Sequence, residues 1–76
     1  MKTLSSPLYR QFLALMRDAR DRAGLSQVEL AARLDKPQSF VSKYESGERR
    51  LDVAEFIEIC RAMDVSAPKL LKKLVD

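Results

Sequence analysis

Histidine is absent from this chain of 76 residues, and cysteine occurs once, at Cys60. Without imidazole or a second thiol the usual zinc ligand sets cannot be assembled, and a serine–histidine–carboxylate triad has no base. No intrachain disulfide can form, so the fold must rest on apolar packing, and a reducing, cytoplasmic setting is expected. Glycine is scarce, at two residues, and no phosphate-gripping glycine pattern is present. No apolar run is long enough for a signal peptide or a membrane span. Strand-like alternation, internal repeats and low-complexity tracts are missing as well. These gaps argue against an enzyme, a metal site, a cofactor and a membrane partner. Glu29, Glu45 and Glu55 suit helix capping or ion pairing better than a metal cluster.

What is present is charge and helical amphipathicity. Lys and Arg number 14 against 11 Asp and Glu, a formal net charge of +3. The excess is uneven: residues 1–50 hold ten basic side chains against six acidic ones, and residues 51–76 hold four against five. At this length residues 1–76 form a single domain with little stability to spare, unless its helices share one core or a second copy packs on it.

Caps and periodicity outline the helices. Ser6 can cap a first helix that Pro7 opens, running over about 7–23. Leu8, Phe12, Leu15, Met16 and Ala19 recur on one face, and Gly24 offers a permissive exit. Ser26 and Glu29 make a capping-box pattern, with Leu25 and Leu30 spaced as a hydrophobic staple. Val28, Leu30, Ala31 and Leu34 form the inward side of that second helix. Asp35, which tolerates left-handed backbone better than most residues, begins a corner.

Pro37 then restricts the approach to a third helix. Phe40, Val41 and Tyr44 can bury one face of it, while Gln38, Ser39, Ser42 and Lys43 occupy the other. Two short helices joined by a tight corner, the second with small polar and basic residues turned outward, are an arrangement that offers a helix to the DNA major groove. It falls within the positive part of the chain.

Gly47 ends the third helix. Asp52 and Glu55 repeat the capping box, and Leu51 with Phe56 repeats the staple. Val53, Phe56, Ile57, Cys60 and Met63 line a fourth helix over 53–63, in which Cys60 is a packing residue. Ser66 can cap a last short helix over 66–76, where Leu70, Leu71 and Leu74 either pack on Phe12 and the bundle or form a two-fold apolar seam. The expected fold is all-α, a compact bundle of four or five helices. Its expected core comprises Phe12, Leu15, Leu30, Ala31, Leu34, Phe40, Val41, Tyr44, Phe56, Ile57 and Cys60.

Leu25-Ser26-Gln27-Val28-Glu29-Leu30-Ala31, then Leu34, then Phe40-Val41-Ser42-Lys43-Tyr44-Glu45-Ser46-Gly47-Glu48-Arg49-Arg50, with Ile57, Ala62 and Val65 beyond, resemble the Cro and lambda-repressor, or XRE-type, helix-turn-helix family. The resemblance spans about residues 9–66. It implies a lambda-repressor-like bundle that binds duplex DNA by sequence, frequently as a dimer, in transcriptional control. It makes residues 27–34 the supporting helix and 38–46 the recognition helix. Asp35 stands where the family commonly has Gly, and Pro37 where it commonly has a Ser or Thr cap.

Carried over residue by residue, the resemblance gives Gln27 a phosphate contact and a brace for Gln38. A glutamine amide gives and accepts together, matching the N6/N7 edge of adenine. Ser39 faces a phosphate or a base edge, and Ser42 lies on the same open face. Lys43 donates to guanine O6/N7 or to a phosphate. Arg49 and Arg50 fall in a stretch that resembles the family's backbone-contacting loop; the plainer reading is a solvated turn balanced by Glu48 and Asp52. Lys36 and, more weakly, Arg33 extend the positive field. Arg20 and Glu45 match a pair that ties the first helix to the end of the recognition helix. The expected function is a transcriptional regulator, a repressor acting as a homodimer on inverted half-sites about 34 Å apart. The alternative is an antitoxin or adaptor that binds a protein partner.

Overall fold

The computed structural model describes residues 6–76, and all regular structure among them is helical. Five helices follow in order: α1 (Pro7–Arg22), α2 (Gln27–Arg33), α3 (Gln38–Ser46), α4 (Val53–Met63) and α5 (Ala67–Val75). These bounds agree with the sequence expectation to within one residue. Ala23 and Leu34 turn out to be C-caps, the positions where helices fray.

Four helices begin on a side-chain cap. Ser6 Oγ accepts from Tyr9 N–H at 3.3 Å, and Ser66 Oγ from Lys69 N–H at 3.3 Å. Ser26 and Glu29 close a reciprocal box at 3.0 and 2.8 Å, and Asp52 with Glu55 closes another at 2.7 and 3.0 Å. α3 alone of the five has no side-chain cap; Pro37 at its N-cap supplies a restrained φ of −70° instead.

Three corners are closed by one backbone device. Gly24 (φ 74°), Asp35 (φ 56°) and Asp64 (φ 59°) are left-handed. After α1, Leu25 N–H reaches Arg20 O at 3.2 Å and Gly24 N–H reaches Asp21 O at 3.0 Å. The same pair of bonds joins Lys36 to Ala31 and Asp35 to Ala32 after α2, and Val65 to Cys60 and Asp64 to Arg61 after α4. A Cβ on Gly24 would meet no atom within 4 Å, so Gly24→Ala tests backbone strain alone. The expected cost is about 1 kcal/mol. In a thermal melt this lowers the midpoint by about 4–8 °C.

α2 packs on α3, α1 against α3, and α5 against both α1 and α4. The deepest side chains are Tyr44, Met16, Leu30, Ile59, Val41 and Cys60. Of the expected core, Leu30, Ala31, Val41, Tyr44, Phe56 and Cys60 are buried, while Phe12, Leu15, Leu34, Phe40 and Ile57 are half-buried around its edge. Burial pushes the Cys60 thiol up to about 11.

Three inward assignments are corrected. Leu8, Val28 and Val53 are exposed at 57%, 62% and 74%. Each lies in the first turn of its helix, whereas the packed face is set further along, by Leu13, Met16 and Arg20 in α1, Leu30 and Ala31 in α2, and Phe56, Ile59, Cys60 and Met63 in α4. The tail leucines divide: Leu70 is buried, Leu74 half-buried and Leu71 exposed. Among the described residues no helix is long and apolar enough to cross a membrane.

Candidate nucleic-acid interface

Side chains of α3 sort by face. Val41 and Tyr44 are wholly buried and Phe40 half-buried, while Gln38, Ser39 and Lys43 are exposed and Ser42 is half-buried. Because a helix advances about 100° per residue, Gln38, Ser42, Ser39 and Lys43 share one arc of about 140°, opposite the apolar three. Glu45 sits at the seam between the arcs, on the Gln38 side.

That seam is anchored deep in the bundle. Glu45 accepts from Arg20 Nε at 2.7 Å and from Nη2 at 3.1 Å, and Arg20 Nη1 donates to Leu25 O at 2.9 Å. The two side chains are only 9% and 5% exposed. Hydrogen bonding to Glu45 outweighs burial and raises the Arg20 pKa. One guanidinium therefore ties α1, the corner after it and the end of α3 together.

From there the hydrogen bonds run outward. Gln27 Nε2 donates to Glu45 Oε1 at 2.8 Å, and Gln38 Nε2 donates to Gln27 Oε1 at 2.8 Å. A carboxylate can only accept, so Glu45 turns the Gln27 amide nitrogen inward and its oxygen outward. The outward oxygen then claims one N–H of Gln38. The Gln38 oxygen and second N–H remain as an adjacent acceptor and donor, the pattern complementary to the N6/N7 edge of adenine.

Basic residues flank α3 on aromatic supports. Lys36 Nζ lies 5.2 Å from the Phe40 ring centroid and Arg49 Cζ 4.9 Å from it. Arg50 Cζ lies 4.1 Å from the Tyr9 ring, and Tyr9 Oη accepts from Leu51 N–H at 3.2 Å. Arg49 N–H donates to Lys43 O at 3.1 Å, holding the loop against the end of α3. Its guanidinium forks onto Glu55, Nη1 to Oε1 at 3.1 Å and Nη2 to Oε2 at 2.7 Å. This fork raises the Arg49 pKa and is the largest cause holding the Glu55 carboxyl below the usual range.

The Arg49 guanidinium is thus balanced first by Glu55, a partner that proximity in the chain did not suggest, and the Asp52 charge acts on it as well. Asp52 is occupied in capping α4. Arg33 also departs from expectation: its Nη1 donates to Ala62 O at 2.9 Å, which turns it toward α4. Sequence reasoning did not foresee Tyr9 and Phe40 as platforms for the arginines. Tyr9 and Leu51 are 42 positions apart, with no local signal to join them. Among the described residues no group of three or more His, Cys, Asp or Glu side chains could hold a metal.

A buried seam, a short helix behind the corner and an exposed polar flank define the helix-turn-helix class, and the helix-turn-helix family model matches residues 16–70. The chain is 54% identical to an XRE-family like protein from Pseudomonas syringae pv. tomato str. DC3000, over 88% of this chain and 82% of that one, with a TM-score of 0.85. Its fold is shared at 21% identity with a mutant of the Restriction-Modification Controller Protein C.Esp1396I, over 92% and 93% of the chains, with a TM-score of 0.84. It is shared likewise with the clp gene regulator ClgR from C. glutamicum, at 21% identity over 92% and 91% of the chains and a TM-score of 0.80. No functionally curated protein matches it. The chain belongs to the XRE, or Cro/lambda-repressor, type of helix-turn-helix family, whose members are DNA-binding regulators and not enzymes.

Proposed function

We propose that this protein is a cytoplasmic transcriptional repressor that recognises a short duplex site through α3 and acts as a dimer on inverted half-sites. The observation that carries this reading is the Arg20–Glu45–Gln27–Gln38 run, which holds an exposed amide at the tip of α3 in one orientation. A side chain already ordered by its neighbours loses less freedom on binding, so more of its contact energy is left for discrimination. Gln38 reads adenine, Lys43 reads guanine, and Ser39 and Ser42 contact base edges beside them. Lys36, Arg49 and Arg50 take phosphates, which makes affinity depend on salt. Gln27 adds a phosphate contact through the one amide N–H that Glu45 does not take, and these contacts set register.

A reading helix of nine residues spans few base pairs, which favours two copies. Half-sites one DNA turn apart lie about 34 Å from each other. A molecule measuring 30 × 29 × 21 Å brings neighbours at that spacing into contact. Val53, Phe56, Ile57, Pro68 and Leu71 line an apolar groove between α4 and α5, and a second copy there would cover the exposed Val53 and Leu71. In an antitoxin or adaptor, a different protein would cover the same groove.

Selection from a random duplex library, with affinity followed across salt concentrations, tests the reading. Enriched inverted half-sites support it; a flat library together with co-purification of a small toxin supports the adaptor. Gln38→Ala and Lys43→Ala should each cost about 1–3 kcal/mol of discrimination at one base pair. Their melting curves should stay within about 0.5 kcal/mol of the parent. An unchanged site preference would remove both assignments.

A further inference from the structure

Building on the DNA-binding reading above, we propose that Glu55 is an internal stand-in for phosphate: in the free protein its carboxylate occupies the face of Arg49 that a DNA backbone phosphate takes on binding. It thereby sets how firmly the domain holds any duplex, whatever the sequence.

The geometry of the fork is the first ground. Two parallel N–H···O bonds at 3.1 and 2.7 Å are the way a guanidinium meets either a carboxylate or a phosphate. Phosphate and Glu55 therefore compete for the same donors. Position is the second ground. Arg49 is fastened to the end of α3 through its own N–H and lies on Phe40, so its charge is held beside the reading helix and does not sweep through solvent.

The third ground is that Glu55 cannot travel with Arg49. Its Oε1 also accepts from Asp52 N–H at 3.0 Å, which locks the carboxylate to the start of α4. At 43% and 21% side-chain exposure the pair is open enough for another oxyanion to reach. Binding then exchanges one oxyanion for another at Arg49. The gain is small, and the counterion release expected of a free arginine is largely cancelled. Glu55 weakens sequence-independent holding in this way and leaves selection to the exposed arc of α3.

Glu55→Gln tests this, because Gln retains an oxygen for the Asp52 N–H and keeps α4 capped while losing the charge. On a random-sequence duplex the variant should bind more tightly at low salt, with a slope of log affinity against log salt steeper by about 0.9. Between 50 and 200 mM salt it should lose roughly three- to fourfold more affinity than the parent. Glu58→Gln, an exposed acid on the same helix, measures the general effect of deleting a negative charge. In an Arg49→Ala background, Glu55→Gln should give no more than that general effect. A gain that survives without Arg49, or an unchanged slope, overturns the proposal.

A measurement on the parent protein needs no variant. By carboxyl NMR, Glu55, which faces Arg49, Lys36 and Asp52, should titrate below the usual range when free and move back toward it in the duplex complex. A Glu55 titration unchanged by the duplex means that Arg49 never leaves, and the proposal fails. If the parent shows no salt-dependent duplex binding at all, the DNA-binding reading falls first and takes this one with it.

Discussion

Glu45→Ala is expected to destabilise the domain by about 3 kcal/mol, because it strips a buried guanidinium of its bidentate partner and leaves only the exposed Asp21 carboxylate, 3.6 Å from Nη1. Small domains have total stabilities toward the low end of about 5–15 kcal/mol, so denaturant titration should find the variant close to unfolding. The loss does not mean that the ion pair is a large source of stability. Desolvation offsets most of the attraction, and replacing both partners at once, Arg20→Met with Glu45→Leu, should leave the fold within about 1–2 kcal/mol of the parent. That double variant tests the orienting role in a folded domain, with the Arg20 Nη1 bond to Leu25 O given up as well. With no carboxylate to turn Gln27, the Gln38 amide loses its fixed direction. The base pair it reads should then become more permissive, while phosphate-driven affinity stays. A double variant that folds and keeps full discrimination at that base pair would show that the run of hydrogen bonds does not orient the reader.

Tyr44→Ala should cost about 3–5 kcal/mol, the usual range for deleting a large aromatic from a core. Tyr44 is wholly buried and forms an edge-on ring contact with Phe40, 5.6 Å between centroids. Tyr44→Phe should behave in the opposite way. Among the described residues the hydroxyl oxygen is buried without a hydrogen-bond partner, and burial drives its pKa upward. Removing it leaves the ring in place and discards a poorly solvated polar group, so the melting midpoint should equal or exceed the parent's. A Tyr44→Phe variant that melts several degrees lower would mean the hydroxyl is stabilising after all.

Features that act over three or four residues were legible in the chain. Ser6, Ser26 with Glu29, Asp52 with Glu55, and Ser66 each mark a helix start because a cap bonds only to the first turn. Asp35 and Gly24 marked corners for the same local reason. Asp64, the same residue type as Asp35 and with the same left-handed tolerance, was not read as a corner and adopts φ 59°. Val28 was misplaced because α2 is seven residues long, under two turns, and its inward face is not settled by periodicity over so short a span. In the site, the outward arc of α3 was visible from spacing, and the Arg20–Glu45 pair came from family resemblance across 25 positions. Hidden were contacts that depend on how helices pack: Arg33 onto Ala62 O, Tyr9 onto the loop at Leu51, and Arg49 onto Glu55.

The left-handed corner at Asp35 bears on how a domain of this kind diverges. Its backbone bonds to Ala31 and Ala32 set the tilt at which the next rod leaves, and the rod's first residue, Gln38, is held by the partners waiting at its end. Two sister proteins with identical letters from 38 to 46 but different letters at 35 to 37 would lower the same side chains into the groove at different depths. Target choice can therefore drift through positions that never touch a base, and a code tabulated from the contacting residues alone will misassign such siblings.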